Sequence, residues 1–244
     1  MAPPRSGLSL SPRPAIFRSV EHDRPREPTR GFLVTFEGGE GSGKSTQIER
    51  LAAFLRAEGH EVVTAREPGT TKVGEAVREI LLRTAPERLS AAAELALFLA
   101  ARAELVAEVV RPALAAGTVV LLDRYGDSSV AYQGHGRGLD PERVGELSAF
   151  VTGGLVPDLT VLIDVPVEAS AARARERAPD RIERAGTAFH RRVRDGYRKL
   201  ALNEPERFVV LDGTGSIETV QSAIRERILD ELAARILTPR TELS

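Results

Sequence analysis

The sequence predicts a doubly wound α/β domain: a parallel five-stranded sheet with helices on both faces. Three observations carry that expectation. From Gly31 onward, apolar runs of five to seven residues alternate with longer stretches of helical periodicity, the pattern of a parallel sheet buried between helical layers. The first run leads directly into a glycine-rich turn and a helix start. Charged residues gather where the runs end, and in such sheets ligands bind beyond the carboxyl ends of the strands.

Taken in order, residues 32–37 form the first strand. Residues 45–58 follow as a helix, because Ile48, Leu51, Ala52 and Leu55 recur on one face and Gly59 supplies the stop. The other strand-like runs are 61–65, 118–123, 159–165 and 208–212. Helical patterns fill the intervals at 73–83, 90–116, 141–152, 167–178, 187–202 and 217–237. Beyond the strands lie Glu37 to Ser45, Arg66 to Gly69, Asp123 to Tyr125, Asp164, and Asp212 to Thr214, the residues this topology collects around a ligand. No internal repeat is evident.

Composition narrows the function. The chain has 244 residues, 42% hydrophobic and 28% charged, enough to bury one sizeable core. Residues 1–30 hold six of the fifteen Pro and six Arg against three acids, with no apolar periodicity. They cannot offset the entropy of folding and are expected to be a disordered leader. That leaves 31–238 as the folded domain and 239–244 as a tail. An organelle transit peptide would share the Arg content, but Glu21, Asp23, Glu27 and the prolines argue against it. The net charge of −1 gives no electrostatic case for nucleic acid or an anionic membrane. No run of 18 apolar residues exists to span a bilayer. The absence of Cys removes disulfide and thiolate chemistry and suits a cytoplasmic location.

Gly38-Gly39-Glu40-Gly41-Ser42-Gly43-Lys44-Ser45 matches G-x-x-x-x-G-K-[ST] in full, with Thr46 following. Set between a strand and a helix, this is the phosphate-binding P-loop. Its glycines let backbone N–H groups face phosphate oxygens at a helix N-terminus. Lys44 reaches the β- and γ-phosphates, and the Ser45 hydroxyl is offered to Mg²⁺. Only three Lys stand against 31 Arg, and Arg does not replace Lys here. A second motif, Val119-Val-Leu-Leu-Asp123-Arg124, ends an apolar strand on a carboxylate placed for the same Mg²⁺. Hydrolytic ATPases usually follow that Asp with Glu to position water. Arg124 instead aims a cation where a second phosphate would sit, which favours transfer to a phosphorylated acceptor. A GTPase is excluded, because N-K-x-D needs an Asn and the chain's only one, Asn203, precedes Glu204.

Phe98 and Arg102, four apart, share one helix face. With Arg66 and the run from Ser128 to Gly134 they would suit a nucleoside monophosphate, although, read alone, a Phe in this position is more often core packing and an Arg a solvated charge. These motifs, together with Phe36 to Gln47, Arg66-Glu-Pro-Gly69, Asp123-Arg-Tyr125, Ser129-x-Ala-Tyr-Gln-Gly134, Asp180-Arg-Ile-Glu183 and Phe189-x-x-Arg-Val-Arg-x-Gly-Tyr197, occur in the order and spacing of thymidylate kinases. The resemblance covers about residues 31–215. It implies transfer of the ATP γ-phosphoryl group to dTMP with Mg²⁺ held by Ser45 and Asp123, in a homodimer served by the 90–116 helix.

The resemblance also implies roles. Glu40 resembles the acid that binds the acceptor 3′-hydroxyl, and Arg66, Arg102 and Arg124 look like contacts to the acceptor phosphate and base edge. Phe98 would stack on thymine, Ser129, Tyr132 and Gln133 would line the base pocket, and Tyr197 would crowd the 2′ position. Thr70 departs from the family's second Gly, which puts the turn geometry in question. Gly41 stands where some members carry a P-loop Arg; members without it supply one from a mobile lid, here about residues 173–188. Of Arg173, Arg175, Arg177 and Arg181, most read as an exposed Arg-rich helix, and one, Arg175 or Arg177, is expected to reach the phosphates as the catalytic cation. The alternatives are a kinase for another small acceptor and a non-catalytic nucleotide-binding module.

Overall fold

Phe32–Glu37 forms β1, buried along its whole length because apolar partners wait on both faces. The computed structural model describes residues 31–84, 89–173 and 180–237. The leader, the tail and positions 175 and 177 lie outside these residues. Phe32, Val34 and Phe36 point to one side of the sheet, against Ile48, Leu51 and Leu55 of α1 (Lys44–Ala57) and Ile224 and Ile228 of α9 (Ile217–Leu237). Leu33 points to the other side with Val120 and Leu122 of β3 (Val119–Asp123), against Leu105, Val110 and Leu114. That alternation is the period-2 consequence of a strand sandwiched between helices.

With β2 (Val62–Arg66), β4 (Leu159–Asp164) and β5 (Phe208–Asp212), the sheet has the order β2-β3-β1-β4-β5 and every pairing is parallel. The register sets Arg66 opposite Asp123 and Asp164 opposite Asp212, so the charged strand ends form one row. The chain runs from β1 to one edge and returns to β4 on β1's other side, which makes the carboxyl end of β1 the switch point. The five-stranded parallel expectation holds, with the second strand displaced by one residue.

The helices start where local chemistry caps them. Thr71 accepts from the Gly74 N–H at 2.9 Å before α2 (Lys72–Glu79), and Ser90 accepts from Ala93 at 3.2 Å before α3 (Ala91–Leu105). The α3 axis continues through a π-helical stretch, Val106–Val110, into α4 (Arg111–Ala115). Asp140 and Pro141 open α6 (Pro141–Thr152) and Gly153 closes it in the left-handed region. No helix is legible in the sequence over 126–136, yet α5 (Gly126–Ser129) runs there into seven π-helical residues, Val130–Gly136. Gly134 and Gly136 hide the periodicity; both this stretch and α8 (Thr187–Asn203) build one core cluster, through Tyr132, Phe189, Val193 and Tyr197. The helix α7 (Val167–Arg173) leads from β4 toward the segment 174–179.

Candidate functional site

A cleft of about 1270 Å³ opens at the carboxyl ends of the strands, over the P-loop. The cradle is built by backbone conformation. Gly38 has φ 139 and Gly41 φ 69, and a Cβ would lie 2.5 Å from the Ile163 carbonyl or 2.8 Å from that of Ser170. Neither position has room for a side chain, so glycine is required by space as well as by φ. Gly41 therefore lets α7 pack directly on the loop, where the Ser170 hydroxyl donates to the Glu40 carbonyl. The following helix, α1, has no side-chain cap. Its first N–H groups are left for an anion, the arrangement that binds phosphate.

Lys44 is not the exposed loop residue that the motif alone suggests. It opens α1 and is buried, because its ammonium folds back over the loop and donates to the carbonyl of Gly39 at 3.0 Å, with Gly38 O and Ser42 Oγ at 3.4 Å. Burial, then neighbouring Arg124, pushes its pKa below the ordinary lysine value. An anion entering the cradle would restore it. The Ser45 hydroxyl donates to Asp123 Oδ2 at 2.7 Å. These two hard oxygen donors fit Mg²⁺, which takes few protein ligands and completes its shell with phosphate and water. In keeping with that, no cluster of three or more His, Cys, Asp or Glu suited to a metal exists among the described residues.

Arg124 stands at the centre of the cleft. Its backbone has φ 73, strained for a residue with a Cβ, and its N–H is tied to the Phe36 carbonyl at 3.0 Å. That turn drives the guanidinium inward, where it pairs with Glu40 at 2.5 Å and donates to Gly38 O, Ser128 Oγ and the hydroxyls of Tyr132 and Tyr197. It also stacks on the Tyr132 ring at 4.9 Å. Burial alone would favour neutrality, but the surrounding oxygens hold it firmly charged. The result is a fixed cation beside the phosphate cradle.

The acceptor-side candidates divide. Glu40, Arg66, Phe98, Ser129, Tyr132 and Gln133 line the cleft along with Arg124. Arg102 and Tyr197 are not on its lining. Arg102, 1% exposed, gives its fork to Glu67 at 2.7 Å, Ser148 and Ser129 at 3.0 Å, and the Tyr125 carbonyl. Tyr197, also fully buried, donates to Glu37 Oε2 at 2.7 Å. Both stand immediately behind cleft residues and fix them. Phe98 lies at the edge of the core and of the cleft at once, packed against the core clusters and lining the cavity. Thr70 answers the turn question. It takes up the left-handed backbone at φ 71, a conformation that costs an L-residue about 1–2 kcal/mol. Its N–H donates to Glu75 at 2.8 Å and its hydroxyl accepts from the Arg66 N–H at 3.0 Å, which offsets that strain.

Of the lid arginines, Arg173 lines the cleft and donates to the Gly213 carbonyl at 3.0 Å. Arg181 does not pair with Glu183. It is buried, donates to the Leu81 carbonyl at 2.9 Å and pairs with Glu94 at 2.6 Å, while Glu183 accepts from the Asp180 N–H instead. Arg78 and Arg184, not singled out from sequence, also line the cleft.

Two acids lie buried behind the cleft: Glu37, whose place at a strand end was legible but whose burial was not, and Glu94, which sequence reasoning missed. Glu37 accepts from the Tyr125 N–H at 2.8 Å, Ser128 Oγ at 2.6 Å and the Tyr197 hydroxyl. Burial and the charge of Asp127 outweigh Arg124 and these donors, and push its carboxyl up to about 7. Glu94 binds Gln133, Arg137 and Arg181 together. Burial works against its charge, but bonds from Arg137, Gln133 and Arg181 hold it below the usual carboxylate range. An acid closing a buried strand was the available signal for Glu37. Glu94, inside an Ala-rich helix, carried none.

A P-loop, an acid-ended third strand and a buried second cation facing one cleft define a P-loop phosphotransferase, with donor and acceptor sides in a single cavity. The comparisons narrow that class. The family model for thymidylate kinase matches residues 36–224. A thymidylate kinase of Geotalea uraniireducens is 47% identical over 210 residues, covering 83% of this chain and 99% of the relative. One from Pseudomonas putida is 51% identical over 195 residues, covering 80% and 93%. The crystal structure of thymidylate kinase from Ehrlichia chaffeensis superposes with a TM-score of 0.67 at 33% identity, covering 82% of this chain and 98% of that one. The chain belongs to the thymidylate kinase family.

Proposed function

We propose that this protein transfers the γ-phosphoryl group of ATP to dTMP, yielding dTDP and ADP. The observation that carries the reading is the position of Arg124, a permanently charged guanidinium between the phosphate cradle and the pocket lined by Phe98, Tyr132 and Gln133. An acceptor phosphate drawn to Arg124 and Arg66 lies in line with a donor held by residues 38–46. One of its oxygens forms the new bond to the γ-phosphorus, and the bond from that phosphorus to the β-bridging oxygen breaks, releasing ADP. The attacking oxygen is already an anion, so no general base is needed. Alignment and fixed cations do the work.

Lys44 is the mobile partner: its present contacts are backbone carbonyls that phosphate oxygens would displace. Ser45 and Asp123 would hold Mg²⁺, which when bound neutralises charge on the donor phosphates. Glu40, paired with Arg124, is placed to accept from the acceptor sugar hydroxyl. Phe98 would stack on the thymine. Arg102 and Tyr197 act from behind, through Ser129 and Arg124. We assign 31–238 as the kinase domain with its lid about 173–188, and Arg175 or Arg177 as the cation that closes over the γ-phosphoryl group.

A homodimer is supported by exposed apolar groups on two helices that pack together, α3 and α6. Ala92, Ala96 and Ala100 are exposed on α3 at four-residue spacing, with Ala107 exposed in the stretch that continues its axis, which allows close helix approach. On α6, Phe150 is 82% exposed and Leu147 45%, and an exposed apolar group of this kind marks an interaction surface. No described helix is long and apolar enough to cross a membrane, and a cytoplasmic location fits nucleotide synthesis. The test is ADP release from ATP and Mg²⁺ across a panel of nucleoside monophosphates. Strong stimulation by dTMP is expected; equal stimulation by several acceptors, or by none, overturns the reading.

A further inference from the structure

Glu94 lies one helical turn before Phe98 on α3, and its carboxylate is wholly buried. A carboxylate held in its ionised form can only accept hydrogen bonds. Here Glu94 is held so by two guanidinium groups, Arg137 at 3.1 Å and Arg181 at 2.6 Å. Its Oε1 also faces Gln133, and the only Gln133 atom that can bond it is the amide nitrogen, at 2.9 Å. Gln133 lines the cleft beside Phe98. With its nitrogen committed to Glu94, the amide is left to meet a ligand with its carbonyl oxygen, an acceptor.

We propose that Glu94 is a positioning residue that locks the polarity of the Gln133 amide, so that the pocket selects an acceptor base which donates a proton at N3. The inference rests on the reading that the acceptor is dTMP. Thymine carries N3–H and would satisfy the Gln133 carbonyl. Cytosine presents a bare N3 and would set two acceptors against each other. A site built to pair a polar edge rejects the analogue that cannot pair it.

The test is the ratio of kcat/KM for dTMP to that for dCMP, in the full chain with ATP and Mg²⁺. In Glu94→Gln the residue at 94 can both donate and accept, the Gln133 amide becomes free to turn over, and the ratio is expected to fall by about tenfold or more. The KM for ATP should stay within about twofold, because the hydrogen-bond partners of Glu94 are Gln133, Arg137 and Arg181 and none belongs to the phosphate cradle. A variant that merely loosened the pocket would lower both acceptors' values together, and an unchanged ratio overturns the proposal. Should Glu94→Gln not fold, Glu94→Asp keeps the charge but draws its oxygens back by one methylene from Gln133 and from both arginines. A severalfold fall in the ratio is expected there too, and an unchanged ratio again overturns the proposal. Gln133→Ala should by itself reduce the ratio; if it does not, the amide is not the selector. A wild-type enzyme that ignores dTMP altogether would instead overturn the functional reading.

Discussion

Glu37 offers the most quantitative handle on the site. It sits beneath Arg124 with no exposure to water, and its carboxyl titrates near 7 in the folded chain against 4.5 for an ordinary glutamate. Between those values the folded state binds a proton that the unfolded state has lost. Stability from this group is therefore full below about pH 4.5 and declines as pH rises through 7. The difference of about 2.5 units corresponds to about 3 kcal/mol, an order-of-magnitude figure at ~1.4 kcal/mol per unit. Glu37→Gln removes the titration and keeps the shape. The amide oxygen can accept from the Tyr125 N–H, and the amide nitrogen can donate to the Ser128 and Tyr197 hydroxyls. The assay is urea unfolding of both proteins at intervals from pH 5 to 8.5. Wild type should lose stability relative to the variant by a few kcal/mol across that range, most steeply between pH 5 and 7. Parallel curves, or a wild type that gains on the variant as pH rises, would refute the reasoning.

Three further outcomes follow from the site. Lys44→Ala should lose at least about tenfold in kcat (~1.4 kcal/mol), and because Lys44 is buried its melting temperature must be measured alongside; a folded variant retaining more than a tenth of the rate would contradict the phosphate role. Phe98→Ala should raise the KM for dTMP well above any change in the KM for ATP, whereas a purely structural ring would lower stability and leave both constants alone. Single alanine substitutions at Arg173, Arg175, Arg177 and Arg181 should give unequal results. Arg175 or Arg177 should lose about 10²-fold or more in kcat with nucleotide binding kept, and Arg181 should act through Glu94 on the acceptor KM; four similar mild effects would sink the lid mechanism.

Much of the fold was legible because β1, β3 and β4 are apolar on both faces, and a two-sided run of that kind reads the same in sequence and in space. The cradle was legible because Gly38, Gly41, Gly43, Lys44 and Ser45 are consecutive in the chain, so their geometry is local. What escaped was long-range. Arg102 reads as a possible ligand contact on a helix face, but its fork is filled by groups from Glu67, Tyr125, Ser129 and Ser148, up to 46 positions away. Lys44 reads as exposed because nothing in a glycine-rich loop announces that the side chain folds back over it. The 126–136 helix stayed hidden because i→i+5 bonding obeys no 3.6-residue period, as the bond from the Arg137 N–H to the Tyr132 carbonyl shows. Glu94 looks like a solvated charge until the fold brings Gln133, Arg137 and Arg181 around it.

Transfer of the γ-phosphoryl group from ATP to dTMP would bring two phosphates together at Arg124. Phosphorus NMR of the protein with equimolar ATP and dTMP in Mg²⁺ buffer follows that transfer directly. The α- and β-resonances of dTDP should grow in step with ADP, with inorganic phosphate staying at background. ADP accompanied by an equal amount of inorganic phosphate, with dTMP unchanged, would mean that the cleft hydrolyses ATP and that Arg124 does not receive an acceptor.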